Sequence, residues 1–297
     1  MTQQMNSTTD TAKHAAADAP LIRNISDTAL WVAVYRARES ERADAIFSDP
    51  LAKRLGGERG EQIAHGLEYS NRHAWSFVAR TYQVDRFITE QVEQGVDMVI
   101  NLAAGLDTRP YRMALPPTLQ WIEVDLPAIL AYKEEILREE KPVCVLERMQ
   151  VDLSNIEARR ALFAQLGRRA KKALIITEGF VVYLGRDEVT AFARDLAAQP
   201  SFQSWVLDMA SPGLLKMLQK NLGALSQAGS PLKFGPEEGP DFFQSCGWSP
   251  AEVHSLLKTA AQLNRLTFGM RLLALLPASN GRQGSRPWGG VCRLARK

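Results

Sequence analysis

The chain of 297 residues is 45% hydrophobic, enough apolar material for a sizeable core, which excludes a largely disordered protein. Its 36 Lys and Arg nearly balance 33 Asp and Glu, so a net charge of +3 offers no concentrated basic face for nucleic acid. No apolar run approaches the ~20 residues of a membrane span; the longest near the end is Leu272 to Leu276.

Residues 1–20 contain almost nothing large and apolar and read as a disordered tail. They lack an apolar stretch, and the first Arg is Arg23, so neither a secretory nor a mitochondrial signal is expected. Ser26 and Asp27 form an N-cap pair before a helix over Thr28–Arg38, where Leu30, Trp31, Val34 and Arg38 recur at helical spacing. A second long helix is expected from about Arg72 to Gln94. Trp75, Val78, Ala79 and Tyr82 lie on its apolar stripe, and Gly95 suits the position past its end.

After Gly95 the pattern changes to short β-rich runs at Met98–Leu102, Trp121–Val124, Val143–Leu146, Leu174–Ile176 and Trp205–Leu207. Helical faces separate most of them: Ile129, Tyr132 and Ile136 form one, and Val189, Phe192, Ala193 and Leu196 another. Continuous apolar strands alternating with helices imply a parallel sheet covered on both faces. Asn101, Asp125, Asp152, Glu178 and Asp208 close these runs at intervals of 24, 27, 26 and 30 residues, each suited to one strand and helix. In such a sheet the carboxyl ends of the strands line the ligand crevice.

Pro212 to Pro240 reads as an insertion or cover. Ser249-Pro250-Ala251-Glu252 reads as a helix start, with His254, Leu256, Leu257 and Ala260 on the helix, and Gly289 to Leu294 as a final strand. The expected fold is therefore α/β: a doubly wound, mostly parallel sheet with N-terminal helices and an inserted cover. One domain is expected over 21–297, divided into a helical cover (21–95), a sheet core (96–210), a substrate-side insertion (211–250) and a C-terminal helix and strand (251–297).

The segment Asn101–Arg109 should form the first crevice loop, with Gly105 letting the backbone pass close to a ligand. Dinucleotide folds want G-x-G-x-x-G there, because backbone must approach a pyrophosphate. This loop has one glycine, so a nucleoside without phosphates fits better. Asp125, twenty residues beyond Gly105, can accept both ribose hydroxyl protons. Asp152 can accept from an adenine amino group while Leu153 packs on the ring. Glu178 suits the cationic methionine arm of S-adenosyl-L-methionine, and Arg80 is the candidate donor to its carboxylate.

Ala79-Arg80-Thr81, Asn101–Arg112, Glu123–Pro127, Val151-Asp152-Leu153 and Glu178–Leu184 resemble the leucine carboxyl methyltransferase family. The likeness runs from about Ser26 to the C-terminus and is strongest to the bacterial branch of O-methyltransferases. The resemblance implies a class I, Rossmann-like methyltransferase using S-adenosyl-L-methionine. In it Arg80 grips the cofactor carboxylate, Gly105 lies under the cofactor, Asp125 holds the ribose, Asp152 and Leu153 frame the adenine, and Glu178 lies by the methionine portion. Where many members have a second glycine this chain has Ala103.

The expected reaction is O-methylation of a carboxylate or hydroxyl on a small molecule. A nicotinamide-dependent oxidoreductase of the same sheet class and a non-catalytic cofactor-binding protein remain as alternatives. Tyr183 either meets substrate or packs in the core, and no residue is singled out as catalytic. Trp31, Tyr35 and Trp75 pack helix on helix or wall an apolar pocket. Asp107 and Arg109 are expected to hold the loop. His65 and His73 read as solvated, and no His spacing suggests a metal site. Three separated Cys give no disulfide framework and point to a reducing, cytoplasmic setting. Neither nucleic acid nor membrane is expected as a partner, and the oligomeric state is open.

Overall fold

The computed structural model describes residues 21–22, 26–277 and 286–297; the tail expected over 1–20 lies outside them. Helices α1 (Ser26–Ser40), α2 (Ala52–Gly66), α3 (Glu68–Arg72) and α4 (Ala74–Glu93) precede the first strand. Ser26 and Asp27 stand inside α1 rather than before it, and Asp27 meets Arg59 at 3.1 Å. Gly95 takes φ 87° beyond α4, which leaves the carbonyls of the last turn capped.

The rest alternates strand and helix: β1 (Met98–Leu102), α5 (Arg109–Arg112), β2 (Gln120–Asp125), α6 (Pro127–Leu137), β3 (Val145–Gln150), α7 (Ile156–Arg169), β4 (Ala173–Thr177), α8 (Arg186–Ala197) and β5 (Phe202–Ala210). Then come α9 (Pro212–Asn221), α10 (Gly223–Gln227), β6 (Trp248–Ser255), α11 (Leu256–Gln262), α12 (Phe268–Ala274) and β7 (Gly289–Arg296). The seven strands run in the order β3-β2-β1-β4-β5-β7-β6. β1 to β5 are mutually parallel, and β7 pairs antiparallel with both β5 and β6. The fold is α/β with a mixed, mostly parallel sheet.

Period-two alternation sends successive side chains to opposite faces. Met98, Ile100, Leu102, Ala173, Ile175, Trp205 and Leu207 join one core with Phe163 of α7 and Phe192 of α8. Val99, Leu174, Ile176 and Val206 join the other with Val84, Phe87 and Ile88 of α4. Both faces being dry explains why these strands read as unbroken apolar runs.

Four expectations are corrected. Ser249-Pro250-Ala251-Glu252 does not begin a helix; it belongs to β6, and His254 lies on that strand. β6 is the sheet edge, paired with β7 alone and bulged between Pro250 and Glu252, so the missing amide of Pro250 costs no central ladder bond. The third strand is Val145–Gln150 and not Val143–Leu146. It is the opposite edge, where Val143 (40%) and Val145 (54%) remain exposed and Glu147 and Arg148 occupy the ladder. The packed face of α6 is Ile129, Leu130, Lys133 and Leu137, with Tyr132 outside. Lys133 is admitted because buried Glu123 meets its ammonium at 2.7 Å. Finally, β5 extends to Ala210, so Asp208 lies within a strand rather than ending one.

Among the described residues no helix is long and apolar enough to cross a membrane.

Candidate functional site

One cavity of about 1060 Å³ opens at the carboxyl ends of β1 to β5. Arg80, Gly105, Asp125, Asp152, Leu153, Glu178 and Tyr183 all line it. Chain positions spread over more than a hundred residues therefore converge because parallel strands point the same way and bring the ends and following loops of β1 to β4 to one rim, which Arg80 joins from α4.

The loop leaving β1 turns back on itself. Ala103 (φ 55°) and Gly105 (φ 49°) both sit in the left-handed region. Two such residues in three bring the Ala104 amide to the Val124 carbonyl (3.2 Å) and the Gly105 amide to Asp125 Oδ2 (2.6 Å). Asn101, Asp107 and Arg109 hold the loop from within. Asn101 Nδ2 donates to Asp107 Oδ2 (2.7 Å), and the Arg109 amide donates to Asp107 Oδ1 (2.9 Å). Burial pushes the Asp107 carboxyl up, but Arg109 and then Lys133 outweigh it and hold the group well below its usual range.

Asp125 Oδ1 accepts the Leu126 amide at 2.7 Å, so each carboxylate oxygen carries one backbone bond and keeps capacity for another. Burial raises its pKa above the ordinary value; the Gly105 and Leu126 amides counter this in part. Asp152 follows β3 by two residues, is exposed, and accepts the Ser154 amide through Oδ1 (2.9 Å). The cap of α7 is Asn155. Leu153 is buried against the larger core and presents its other side to the cavity.

At the next strand ends the charges interlock. Arg80 Nε donates to Glu178 Oε1 (2.9 Å) and Arg80 Nη1 to Asp208 Oδ2 (3.1 Å). Arg109 Nη1 meets Glu178 Oε2 at 2.9 Å, while Arg109 Nε reaches Asp85 at 2.6 Å. Asp208 Oδ1 also accepts the Gly179 amide at 2.6 Å. Burial raises the Glu178 carboxyl, yet Arg109 and Arg80 together outweigh it and keep the group below its usual value. Arg80 Nη2 makes no hydrogen bond among the described residues. It is the one guanidinium donor nitrogen of Arg80 left for a ligand.

Asp85, Arg109 and Asp208 take part in this site without having been assigned to it from sequence. Asp208 was visible as a regularly spaced acid. Asp85 was not, because nothing local says that its helix face meets Arg109 and Arg112, both salt-bridged to it.

Beyond the carboxylates the cavity becomes apolar. Trp31 of α1, Trp75 and Phe77 of α4, and Met217, Leu218 and Leu222 of the 212–232 region line it. Tyr35 stacks on Phe77 at 5.0 Å and packs between helices. Tyr183 both lines the cavity and packs against the cluster of Trp31 and Tyr35; burial pushes its phenol above 10.0, against a hydrogen bond from Thr28. His73, read from sequence as solvated, is half-buried at the break between α3 and α4 and lines the cavity. Among the described residues no group of three or more His, Cys, Asp or Glu is arranged to hold a metal ion.

The family model for leucine carboxyl methyltransferase matches residues 29–197. A Streptomyces coelicolor protein, described as a candidate S-adenosyl-L-methionine-dependent methyltransferase, is 32% identical over 80% of this chain and 87% of its own. A similarly described protein of Frankia alni is 30% identical over the same shares. Among solved structures, a candidate methyltransferase from Thermobifida fusca aligns with TM-score 0.59 and 18% identity, over 93% of this chain and 96% of that one. That likeness speaks to the fold. The chain belongs to the leucine carboxyl methyltransferase family and is an S-adenosyl-L-methionine-dependent methyltransferase.

Proposed function

We propose that the chain methylates an oxygen, a hydroxyl or a carboxylate, on a small molecule with a largely apolar body. The residues at the strand ends fit the methyl donor. Asp125 retains acceptor capacity for two ribose hydroxyls, one per oxygen. Asp152 and Leu153 suit an adenine amino group and ring face. Glu178 and Asp208 suit the cationic methionine arm, and Arg80 Nη2 suits its carboxylate.

When bound, the sulfonium supplies a methyl group and departs as a neutral thioether. The chain's own task is to hold an acceptor oxygen in line at near-attack distance and to keep water out. A carboxylate acceptor is already ionised at neutral pH, whereas a hydroxyl must surrender a proton.

The observation that carries this reading is the continuity of one cavity, of about 1060 Å³, from the carboxylate-rich strand ends into the apolar lobe. That volume is at the upper end of the roughly 300–1,000 Å³ of small-molecule sites and accommodates a donor and an acceptor together. Thermal unfolding with S-adenosylhomocysteine and, separately, NAD tests the donor. At about 100 times its Kd the first should add ~2.7 kcal/mol of stability and raise Tm, and NAD should leave Tm unchanged. Stabilisation by NAD and none by S-adenosylhomocysteine would overturn the assignment.

A further inference from the structure

His73 is the N-cap of α4 and adopts φ −111° and ψ 17°, outside the helix. Its Nδ1 lies 2.7 Å from the Tyr69 carbonyl oxygen. A carbonyl has no proton to give, so Nδ1 must carry the hydrogen, and a neutral ring then bears its lone pair on Nε2. Nε2 has no hydrogen-bond partner among the described residues. The ring is held by stacking on Tyr69 at 4.2 Å and by Trp75 at 6.3 Å. The tautomer and the orientation are thus both fixed, with the basic nitrogen unspent beside the cavity.

The position is suitable. His73 caps the helix that carries Arg80 seven residues further on, and both residues line the one cavity. Other groups on the cavity are poor proton acceptors for this task. Lys258, Arg36 and Arg286 are cationic donors without an acceptor site. Glu178, Asp208 and Asp107 are tied into the arginine network.

We infer that His73 is the general base of the reaction and that the acceptor is a hydroxyl on an aromatic or similarly flat apolar body, not a carboxylate. This rests on the methyl-donor reading above. A phenol with pKa ~10 is protonated at neutral pH, and an apolar lobe disfavours its anion further. His73 Nε2 takes the hydroxyl proton as the oxygen lone pair forms the new bond to the methyl carbon and the carbon–sulfur pair returns to sulfur. The imidazolium then releases its proton to solvent. A carboxylate would need none of this and would leave the oriented nitrogen without use.

The test uses the full chain, S-adenosylhomocysteine, 2-naphthol and 2-naphthoate. In calorimetry on the S-adenosylhomocysteine complex, His73→Phe should weaken 2-naphthol about tenfold and leave 2-naphthoate no weaker. His73→Asn, which keeps a donor for the Tyr69 carbonyl but has no Nε2, should behave like His73→Phe. With labelled S-adenosyl-L-methionine and a panel of hydroxyaryl compounds matched to aryl carboxylic acids, hydroxyls should be methylated. There kcat should fall 10²–10⁴-fold in both variants with KM for the donor unchanged, and added imidazole should restore part of it in His73→Ala. Equal 2-naphthol affinity in wild type and variants, full activity of His73→Asn, or methylation confined to the carboxylic acids would overturn the inference. Failure of the wild type to bind S-adenosylhomocysteine would instead overturn the donor reading on which it stands.

Discussion

Both oxygens of Asp125 already accept a backbone amide, Gly105 at 2.6 Å and Leu126 at 2.7 Å, so the carboxylate is positioned before any ligand arrives. Asp125→Asn should raise the Kd of S-adenosylhomocysteine more than ~tenfold, since a hydrogen bond to a charged group is worth about 1.5–3 kcal/mol. An unchanged Kd by calorimetry would remove Asp125 from the ribose. The pH dependence has a definite sign. Only the ionised carboxylate can accept from two hydroxyls, and burial raises its pKa above 3.8. Affinity should therefore fall on acidification at a pH above the ordinary aspartate value, and the Asn variant should lose that dependence.

Ala103 is the other informative residue. At φ 55° an L side chain costs about 1–2 kcal/mol relative to the right-handed region. Glycine relieves that strain but loses about 0.5–1 kcal/mol more chain entropy on folding. Ala103→Gly should therefore gain up to about 1.5 kcal/mol in denaturant unfolding. A loss would mean that the methyl's packing against the larger core outweighs the strain. The departure noted in the sequence is thus a local cost rather than a blocked site, because the loop still delivers the Gly105 amide to Asp125.

At the scale of elements, the first two helices meet through glycines. A Cβ on Gly60 would lie 2.9 Å from the Leu30 carbonyl oxygen, and one on Gly56 would lie 2.9 Å from Val34 Cγ2. The obstacle at Gly60 is backbone, which cannot rotate away. Gly60→Ala should gain about 0.5–1 kcal/mol of helix propensity and lose ~1–3 kcal/mol to overpacking. The net is a lower Tm, measurable by thermal unfolding; a higher Tm would show that the helices separate freely. Elements were legible in proportion to their burial on both faces. β1, β2, β4 and the face of α8 were read at nearly their true positions, because two dry faces leave an unbroken apolar run, while of β5 only the centre, Trp205–Leu207, was read. The edges misled. In β3 the run that caught the eye lies partly outside the strand, and in β6 Ser249-Pro250-Ala251-Glu252 has every local mark of a helix start. Pairing with β7 overrides those marks, since a row of ladder bonds along Trp248–Ser255, each worth about 0.5–1.5 kcal/mol net, together outweighs a single cap preference of about 1 kcal/mol.

For the molecule as a whole, the cofactor end and the acceptor end are built by different means. The strand ends are assembled by the sheet, whose register is fixed by parallel pairing. The apolar lobe is assembled by a separate cluster in which Trp31, Val34 and Tyr35 of α1 pack with Ile63 of α2, with Leu215 of α9, Leu225 of α10 and Leu222 between the two. Segments nearly two hundred residues apart thus close over one cavity, with Phe77 and Tyr183 between them. Substitutions in this cluster should alter acceptor choice before donor binding, since its members take no part in the ion pairs of Arg80, Arg109 and Glu178.

The sequence by itself determined the central strands β1, β2 and β4 and that Gly105, Asp125 and Glu178 stand at or just past their ends, because period and spacing along a chain fix what one strand and its next turn present; it misplaced the edges β3 and β6. Only the tertiary structure decided that Asp85, Arg109 and Asp208 complete the charge network, that His73 lines the cavity, and which helices wall its apolar part. Those relations join residues with no constant separation in sequence: they depend on how helices pack across the sheet, and packing is settled by shape and burial over the whole molecule.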